Sequence, residues 1–337
     1  MHRAVAASEL VRGTTSPNPP VGCVLLDATG ATAGVGATAP PGGPHAEVRA
    51  LAQAGERARG GTAVVTLEPC AQHGRTPPCT DALLAAGVAE VHYAVDDPHP
   101  AGAGGAGVLR AAGVTVDQGL LADQIRRGPL RAWLHAVRTG LPHVTWKFAA
   151  TLDGRVAAAD GTSRWISAPE SRAEVHRLRA AVDAVVAGIG TVLADDPQLT
   201  ARDPDGGLVA RQPLRVVLGD RAVPPAARVL DGAAETLVLP GHDPAAALAV
   251  LHGRGVVDVL LEGGPTLAGA FLAAGHVDRV VAYLAPALLG AGPAALSGTG
   301  MGTLGQMLRL RIEEIGMSGP DIRISAVPGI REDSREG

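Results

Sequence analysis

Aromatic residues are nearly missing from this chain, with three Trp, two Tyr and two Phe in 337 residues. Its cores must therefore be packed mainly from Ala, Val and Leu, and a nucleic-acid surface built on base stacking is disfavoured. An excess of positive charge is missing too. Lys and Arg number 29 against 33 Asp and Glu, for a net charge of −4, with both signs spread along the chain. No basic stripe marks a groove for nucleic acid. A small anionic substrate needs only a few local basic groups. Apolar runs stay below the roughly 18 residues of a membrane span, and Met1 to Arg12 lacks the long apolar stretch of a signal peptide. Cysteine is scarce and odd in number, at three. That count argues against a disulfide framework and for a reducing, cytoplasmic setting.

What remains is ample for two domains, at a prior of roughly 150 residues each. Apolar residues make up 46% of the chain, and 45 Gly and 26 Pro punctuate them without a collagen period. These punctuators read as turns of an α/β protein. Strands are expected at Val21–Leu26, Thr62–Leu67 and Val88–Val95, and helices at Ala4–Val11, His45–Ala58, Thr80–Ala86 and Leu121–Val137. Thr139-Gly140-Leu141-Pro142 then breaks the chain, which places one domain at 1–140 and another at 143–330. The second half alternates again. Strands are expected at His143–Ala149, Ala184–Ala187, Leu214–Leu218, Thr236–Leu239, Val256–Leu261 and Asp278–Leu284, and helices at Ala168–Ala181 and Pro265–Ala274. Such alternation favours layered α/β sheets. The tail Arg331–Gly337 is charged and reads as disordered.

The strongest chemical signal is His45-Ala46-Glu47, followed by Pro69-Cys70 and then Cys79. Imidazole and thiolate suit zinc, and three protein ligands leave a fourth position for water. A Glu two residues after the His is the general acid/base of zinc deaminases, whose signature is H-x-E…P-C-x-x-C. Here eight residues separate the cysteines instead of two. Cys70 is then expected in a loop and Cys79 at a helix start. The insert Ala71–Pro78 brings donors and a positive charge beside the metal, which suits a sugar phosphate. A structural zinc site, with His73 as fourth ligand, is the competing reading. Cys23, mid-strand, is expected in the core.

Several runs resemble those of a known family. They are Thr15-Ser16-Pro17-Asn18-Pro19-Pro20-Val21-Gly22-Cys23-Val24, Pro44-His45-Ala46-Glu47-Val48, Thr66-Leu67-Glu68-Pro69-Cys70, and His73-Gly74-Arg75-Thr76-Pro77-Pro78-Cys79. The family is the bifunctional riboflavin-biosynthesis deaminase–reductases, and the resemblance runs from about Arg3 to Val327. It implies a cytidine-deaminase-like α/β/α sandwich followed by a dihydrofolate-reductase-like α/β domain. It also implies zinc and NADPH as cofactors, and a homo-oligomer. The first substrate would be 2,5-diamino-6-ribosylamino-4(3H)-pyrimidinone 5′-phosphate, attacked by zinc hydroxide at the carbon bearing the 2-amino group. Glu47 would move the protons, Asn18 would orient the base, and His73, Arg75 and Thr76 would contact the phosphate or nearby groups. Gln72 and His99 stand where the family usually has His and Asn.

The second half adds Lys147, Thr151–Arg155, Ser163–Ser167, Leu178–Ala180, Thr191–Pro197 and Glu262–Leu267 to the resemblance. It implies reduction of the ribosyl chain to ribityl by hydride transfer to C1′ of the opened imine, giving 5-amino-6-ribitylaminouracil 5′-phosphate. Substrate residues would be Lys147, Ser163, Arg179, Leu199, Arg202 and Glu262, with Arg179 and Arg202 for phosphate. Cofactor residues would be Ala149, Trp165, Thr191, Asp195, Asp220, Gly264, Pro265, Thr266, Leu267, Ala268, Gly269 and Ala270. From the residues alone, Gly263-Gly264-Pro265 and Gly188–Thr191 are two strand-to-helix turns able to offer N–H groups to phosphate. No G-x-G-x-x-G fingerprint with a downstream acid is present, so a Rossmann domain is not expected. Without the resemblance, Asp195-Asp196-Pro197 reads as a helix-ending turn and Trp165 as a core residue. Asp220 would repel a cofactor 2′-phosphate, which Arg221 could accept. The alternatives are that only one domain is active, a nucleic-acid deaminase, or a zinc-stabilised protein without activity.

Overall fold

Gly140 takes the left-handed conformation (φ 72°) that commonly ends a helix. Just beyond it the chain divides into two compact units, Met1–Pro142 and His143–Gly337. The structure is a computed structural model and describes residues 1–72, 77–100 and 102–329. The charged tail lies outside these residues.

The first unit is a five-stranded sheet with helices packed on it. In chain order its elements are α1 (His2–Glu9), β1 (Gly22–Leu26), β2 (Thr32–Ala37), α2 (Ala46–Ala54), β3 (Thr62–Leu67), α3 (Cys79–Ala85), β4 (Glu90–Val95), α4 (Gly105–Ala111), β5 (Thr115–Gln118), α5 (Ala122–Arg127) and α6 (Arg131–Thr139). The strand order is β2-β1-β3-β4-β5. β1 runs antiparallel to both neighbours, while β3, β4 and β5 run parallel. α2 is seated on β2 by size. Its buried Ala46, Ala50 and Ala54 are four residues apart and share one face. Opposite them stand Gly34 and Gly36, where a Cβ would come within 2.2 Å of the Ala50 carbonyl and 2.1 Å of the Ala46 carbonyl. Only glycine lets strand and helix backbones approach so closely.

Three differences from the sequence reading have physical causes. The expected helix Leu121–Val137 is two helices, α5 and α6, because Gly128 leaves helical geometry and Pro129 has no N–H to continue the ladder. The expected helix His45–Ala58 tightens to a 3₁₀ turn after Gly55, which sits at φ 56°. β2 (TAGVGA) is two-thirds Ala and Gly, with only Thr32 and Val35 β-branched, so propensity hides it.

The second unit carries an eight-stranded sheet. Its elements are β6 (His143–Thr151), α7 (Pro169–Ala180), β7 (Ala184–Gly188), α8 (Ile189–Asp195), β8 (Leu214–Leu218), β9 (Thr236–Leu239), α9 (Pro244–Gly253), β10 (Asp258–Leu261), α10 (Pro265–Ala273), β11 (Arg279–Ala285), β12 (Leu310–Ser318) and β13 (Asp321–Pro328). The strand order is β12-β13-β11-β6-β10-β7-β8-β9. Six strands from β11 to β9 are parallel, and β13 and β12 close one side antiparallel. β7, β8 and β10 are almost wholly buried and apolar, as expected of parallel strands covered on both faces. β12 and β13 interleave charged and apolar residues on the margin of the sheet and were not read as strands from sequence. Gly188 and Leu218 end their parallel strands, Glu262 lies just past the end of β10, and Lys147, midway along β6, stands one residue beyond the Trp146–Leu261 pair that ends β10, where open α/β sheets usually bind ligands.

Candidate metal centre and reductase cavity

The close seating of α2 places the first cluster. His45 is its N-cap residue, and Glu47 lies in its first turn. Cys79 is the first residue of α3, and Cys70 lies in the loop after β3. His45 Nδ1 is 3.2 Å from Cys79 Sγ and 3.6 Å from Cys70 Sγ, and all three ligand atoms lie within 4.8 Å of one another. Tetrahedral zinc, with bonds of about 2.0–2.1 Å to nitrogen and 2.3 Å to sulfur, sets nitrogen and sulfur roughly 3.6 Å apart. The donor set and its spacing therefore fit zinc with one coordination position to spare. The hydrogen bond from Cys79 is the largest influence on Cys70 and, with His45, holds its thiol down at about 4 against burial. The same bond, then burial, pushes Cys79 well above the usual thiol range.

Glu47 is 4% exposed, and burial pushes its carboxyl above the ordinary range. Two further groups hold the Cys70 loop. The buried Glu68 carboxylate accepts from the Ala106 N–H at 2.9 Å and the Asp97 N–H at 3.3 Å. Gly105 lets Pro69 approach so closely that a Cβ there would meet the Pro69 carbonyl at 1.7 Å. Glu68 was not singled out from sequence, although an acid directly before a Pro-Cys ligand was a signal for such a brace. Asn18 sits in a turn closed by Thr15 Oγ1 donating to its carbonyl at 3.0 Å. Gln72 Nε2 donates to the Pro100 carbonyl at 3.1 Å, and the His99 N–H donates to Asp97 at 2.8 Å. His73, Arg75 and Thr76 lie outside the described residues. Cys23 is fully buried, in the core.

The second unit holds a cavity of about 1200 Å³. That exceeds the usual span for a single small ligand and is room for two. Lys147, Ala149, Ser163, Trp165, Arg179, Thr191, Asp195, Leu199, Arg202, Asp220 and Glu262 all line it, with Gly264, Pro265, Thr266, Leu267 and Ala270. Ala268 is fully buried and Gly269 packs against the Ser297 carbonyl, so these two fall outside the lining. The two glycine turns are tied together, since the Gly264 N–H donates to Thr191 Oγ1 at 3.1 Å.

At the floor lies a buried charge cluster. Arg179 forks onto Glu262, with Nε and one terminal nitrogen at 2.6 and 2.9 Å, and its other nitrogen donates to the Thr200 carbonyl. These bonds use three of its five N–H groups, while its side chain still lines the cavity. Lys147 Nζ stands 3.8 Å from the same carboxylate. Burial opposes ionisation of Glu262, but Arg179 and Lys147 overcome it and hold the carboxyl down at about 2. For Lys147 burial wins over the Glu262 charge, and its ammonium pKa is lowered.

Ser163 Oγ donates to Asp195 at 2.7 Å. Asp195 closes α8, so the turn reading of Asp195-Asp196-Pro197 and its place in the cavity are compatible. Trp165 is no core residue. It is 68% exposed, with the Arg172 guanidinium 4.6 Å from its ring centroid and Arg164 at 5.7 Å. Asp220 accepts from the Gly241 N–H at 2.6 Å and pairs with His242, while Arg221 reaches over Gly190. The lining also includes His176, Gln198 and Arg228, which sequence reasoning passed over. His176 falls three residues before Arg179 on α7, and that helical spacing was a legible signal.

Comparisons with known proteins bear on both sites. Residues 1–95 match the model of the cytidine and deoxycytidylate deaminase zinc-binding region, and residues 142–324 match that of the RibD C-terminal domain. The riboflavin biosynthesis protein RibD of Mycobacterium tuberculosis is 53% identical over 327 residues, covering 97% of this chain and 96% of that one. The Escherichia coli protein of the same name is 40% identical, covering 97% and 98%. Among solved structures, Acinetobacter baumannii RibD aligns with a TM-score of 0.87 at 37% identity over 97% of both chains. A Thermotoga maritima structure aligns with a TM-score of 0.90 at 31% identity, covering 98% of this chain and 97% of that one. It is described as a diaminohydroxyphosphoribosylaminopyrimidine deaminase/5-amino-6-(5-phosphoribosylamino)uracil reductase.

Proposed function

We propose, because the chain belongs to the RibD family of riboflavin-biosynthesis proteins, that its two units act in succession on one phosphorylated pyrimidine. The chain is a bifunctional deaminase and reductase, with a zinc-binding, cytidine-deaminase-like N-terminal region and a dihydrofolate-reductase-like C-terminal region served by a nicotinamide cofactor. We assign deamination to residues 1–140 and reduction to residues 143–330. The first substrate is taken to be 2,5-diamino-6-ribosylamino-4(3H)-pyrimidinone 5′-phosphate, the class named for the Thermotoga neighbour.

The observation that carries the deaminase reading is a buried Glu47 two residues beyond His45, beside Cys70 and Cys79. When bound by these three ligands, zinc lowers the pKa of water to about 7 and so supplies a nucleophile at neutral pH. Glu47 takes a proton from the attacking water and hands it to the departing amine, so the ring amino group leaves as ammonia and a carbonyl remains. Its raised pKa suits both halves of that transfer. Asn18 is assigned to the base, with His73, Arg75 and Thr76 to the phosphate end.

A nicotinamide held in the reductase cavity would supply hydride chemistry for C1′ of the opened ribosyl imine. Lys147 and Glu262 orient the reacting end, and Ser163, Leu199 and Arg202 hold the rest of the substrate. We assign Ala149, Trp165, Thr191, Asp195, Asp220, Gly264, Pro265, Thr266, Leu267 and Ala270 to the cofactor. NADPH is the preferred form. Asp220 is turned onto Gly241 and His242, which leaves Arg221 as the charged group over Gly190 for a 2′-phosphate.

A coupled assay tests the division. With the diaminopyrimidine nucleotide, a chelator should stop ammonia release yet leave NADPH oxidation on pre-deaminated substrate intact. Loss of both signals, or of neither, would sink the assignment.

We also propose a homo-oligomer. A bulge between Ile312 and Glu314 shifts the register of β12. It keeps Leu310, Ile312, Ile315 and Met317 in step on one exposed face, with Ile315 at 61% and Met317 at 65%. A contiguous apolar face on an outer strand calls for cover, and a second copy supplies it. Sedimentation should report at least a dimer, and Ile315→Glu should shift it toward monomer. A wild-type monomer at micromolar concentration would refute this. A cytoplasmic setting is supported by three free thiols, Cys23, Cys70 and Cys79. Among the described residues no helix is long and apolar enough to cross a membrane.

A further inference from the structure

One glutamine governs two arginines of the reductase cavity, and an ion pair between a buried arginine and a partly exposed aspartate governs the glutamine. Arg215 on β8 is fully buried, and its guanidinium donates to the Asp231 carboxylate at 2.7 Å, the Asp231 carbonyl at 2.6 Å and the Ala234 carbonyl at 2.5 Å. This clamp fixes Asp231, whose second carboxylate oxygen accepts from Gln198 Nε2 at 2.5 Å. With its nitrogen held there, the amide must present its oxygen the other way. That oxygen accepts from Arg202 and, at 3.5 Å, from Arg228. The Arg228 backbone is anchored in turn, its N–H donating to Asp196 at 2.8 Å. Gln198, Arg202 and Arg228 all line the cavity. Neither arginine forms an ion pair among the described residues. Two guanidinium groups sharing a neutral acceptor keep their full charge for a ligand, and planar arginine forks match phosphate oxygens better than any other side chain does.

We propose that Arg228 joins Arg202 in a cradle for a phosphate monoester, and that Gln198, set by Arg215 and Asp231, positions both. The proposal rests on reading this cavity as the reductase site. Phosphate monoesters occur there in two places, the 5′-phosphate of the substrate and the 2′-phosphate of NADPH. The full-length enzyme separates them in one set of measurements. Reductase KM and kcat are determined for wild type, Arg228→Ala, Arg228→Lys and Gln198→Ala, with the pre-deaminated nucleotide and its dephosphorylated nucleoside, each with NADPH and NADH.

Arg228→Ala should raise KM for one phosphorylated ligand about tenfold or more, the worth of a lost hydrogen bond to a charged group. It should change kcat less and leave the unphosphorylated counterpart unaffected. Arg228→Lys should recover part of the loss, and Gln198→Ala should shift the same KM in the same direction. Inorganic phosphate should inhibit wild type competitively and Arg228→Ala more weakly. If the effect follows the nucleotide, the cradle holds the substrate; if it follows NADPH and spares NADH, it holds the cofactor. Equal losses with and without phosphate, or no loss, overturn the cradle. Arg228 is exposed, so its variants should fold, and circular dichroism checks that. A wild-type enzyme indifferent to both phosphates would instead overturn the reading of the cavity itself.

Discussion

Glu47→Gln should cut ammonia release by about 10²–10⁴-fold, the usual contribution of a positioned general acid/base. The change is nearly isosteric and replaces one buried polar group by another, so the fold should be kept. His45, Cys70 and Cys79 are untouched, so the protein should still bind about one zinc per chain. The amide cannot take a proton from water, however, and cannot return one to the leaving amine. Reduction of pre-deaminated substrate should proceed at the wild-type rate, because every residue assigned to it lies beyond position 142. Metal analysis and the two activities, measured on one preparation, make the test. Ammonia release within tenfold of wild type would remove Glu47 from the mechanism. A loss of zinc along with activity would mean that the glutamate acts through the metal site's structure instead.

The second large effect is expected at Glu262. Its carboxylate neutralises both Arg179 and Lys147 in the buried floor of the cavity. Glu262→Gln would leave two cations facing a neutral amide, and breaking a buried pair in this way costs about 3–5 kcal/mol. Denaturation followed by circular dichroism should show that loss, while ammonia release under native conditions is spared. The pH dependence has a definite sign. A carboxyl held at about 2, below its ordinary 4.5, contributes stability that is fully present above pH 4.5. That contribution is lost as pH falls from there through about 2, where the folded group takes up its proton. The variant should lack this part of the acid dependence. If wild type and variant lose stability in parallel across that window, the charge cluster is not what holds the floor.

The metal centre was legible because its chemistry is local in sequence. His45 and Glu47 are two apart, Cys70 follows a strand rich in valine, and Cys79 opens a helix, so spacing alone orders the ligands. The parallel strands of the second unit were legible for a related reason, since burial on both faces makes them continuous apolar runs. The reductase cavity is of another kind. Arg179, Gln198, Arg202, Arg215, Arg228 and Glu262 come from separate strands, loops and a helix, and only the fold makes neighbours of them. Sequence could mark Arg179 as a cation, but not that Glu262, 83 residues later, would claim its fork. Nor could it tell that Asp220 would accept from the Gly241 N–H and meet His242, while Arg221 reaches over Gly190. Composition and position alone would put Trp165 in the core, because a large indole is more often buried than held open between two arginines; only the resemblance pointed it to the cavity, which it lines. β2 escaped because its fit to α2 depends on glycine, which carries no strand propensity of its own.

The division between Pro142 and His143 has a consequence for the cell's arithmetic. All the named metal ligands precede it, and all the cavity residues follow it. One ribosome pass therefore delivers one deaminating centre and one reducing centre, in a ratio that no promoter or degradation rate can unbalance. Whatever limits flux through the pair, it is not the relative supply of the two catalysts.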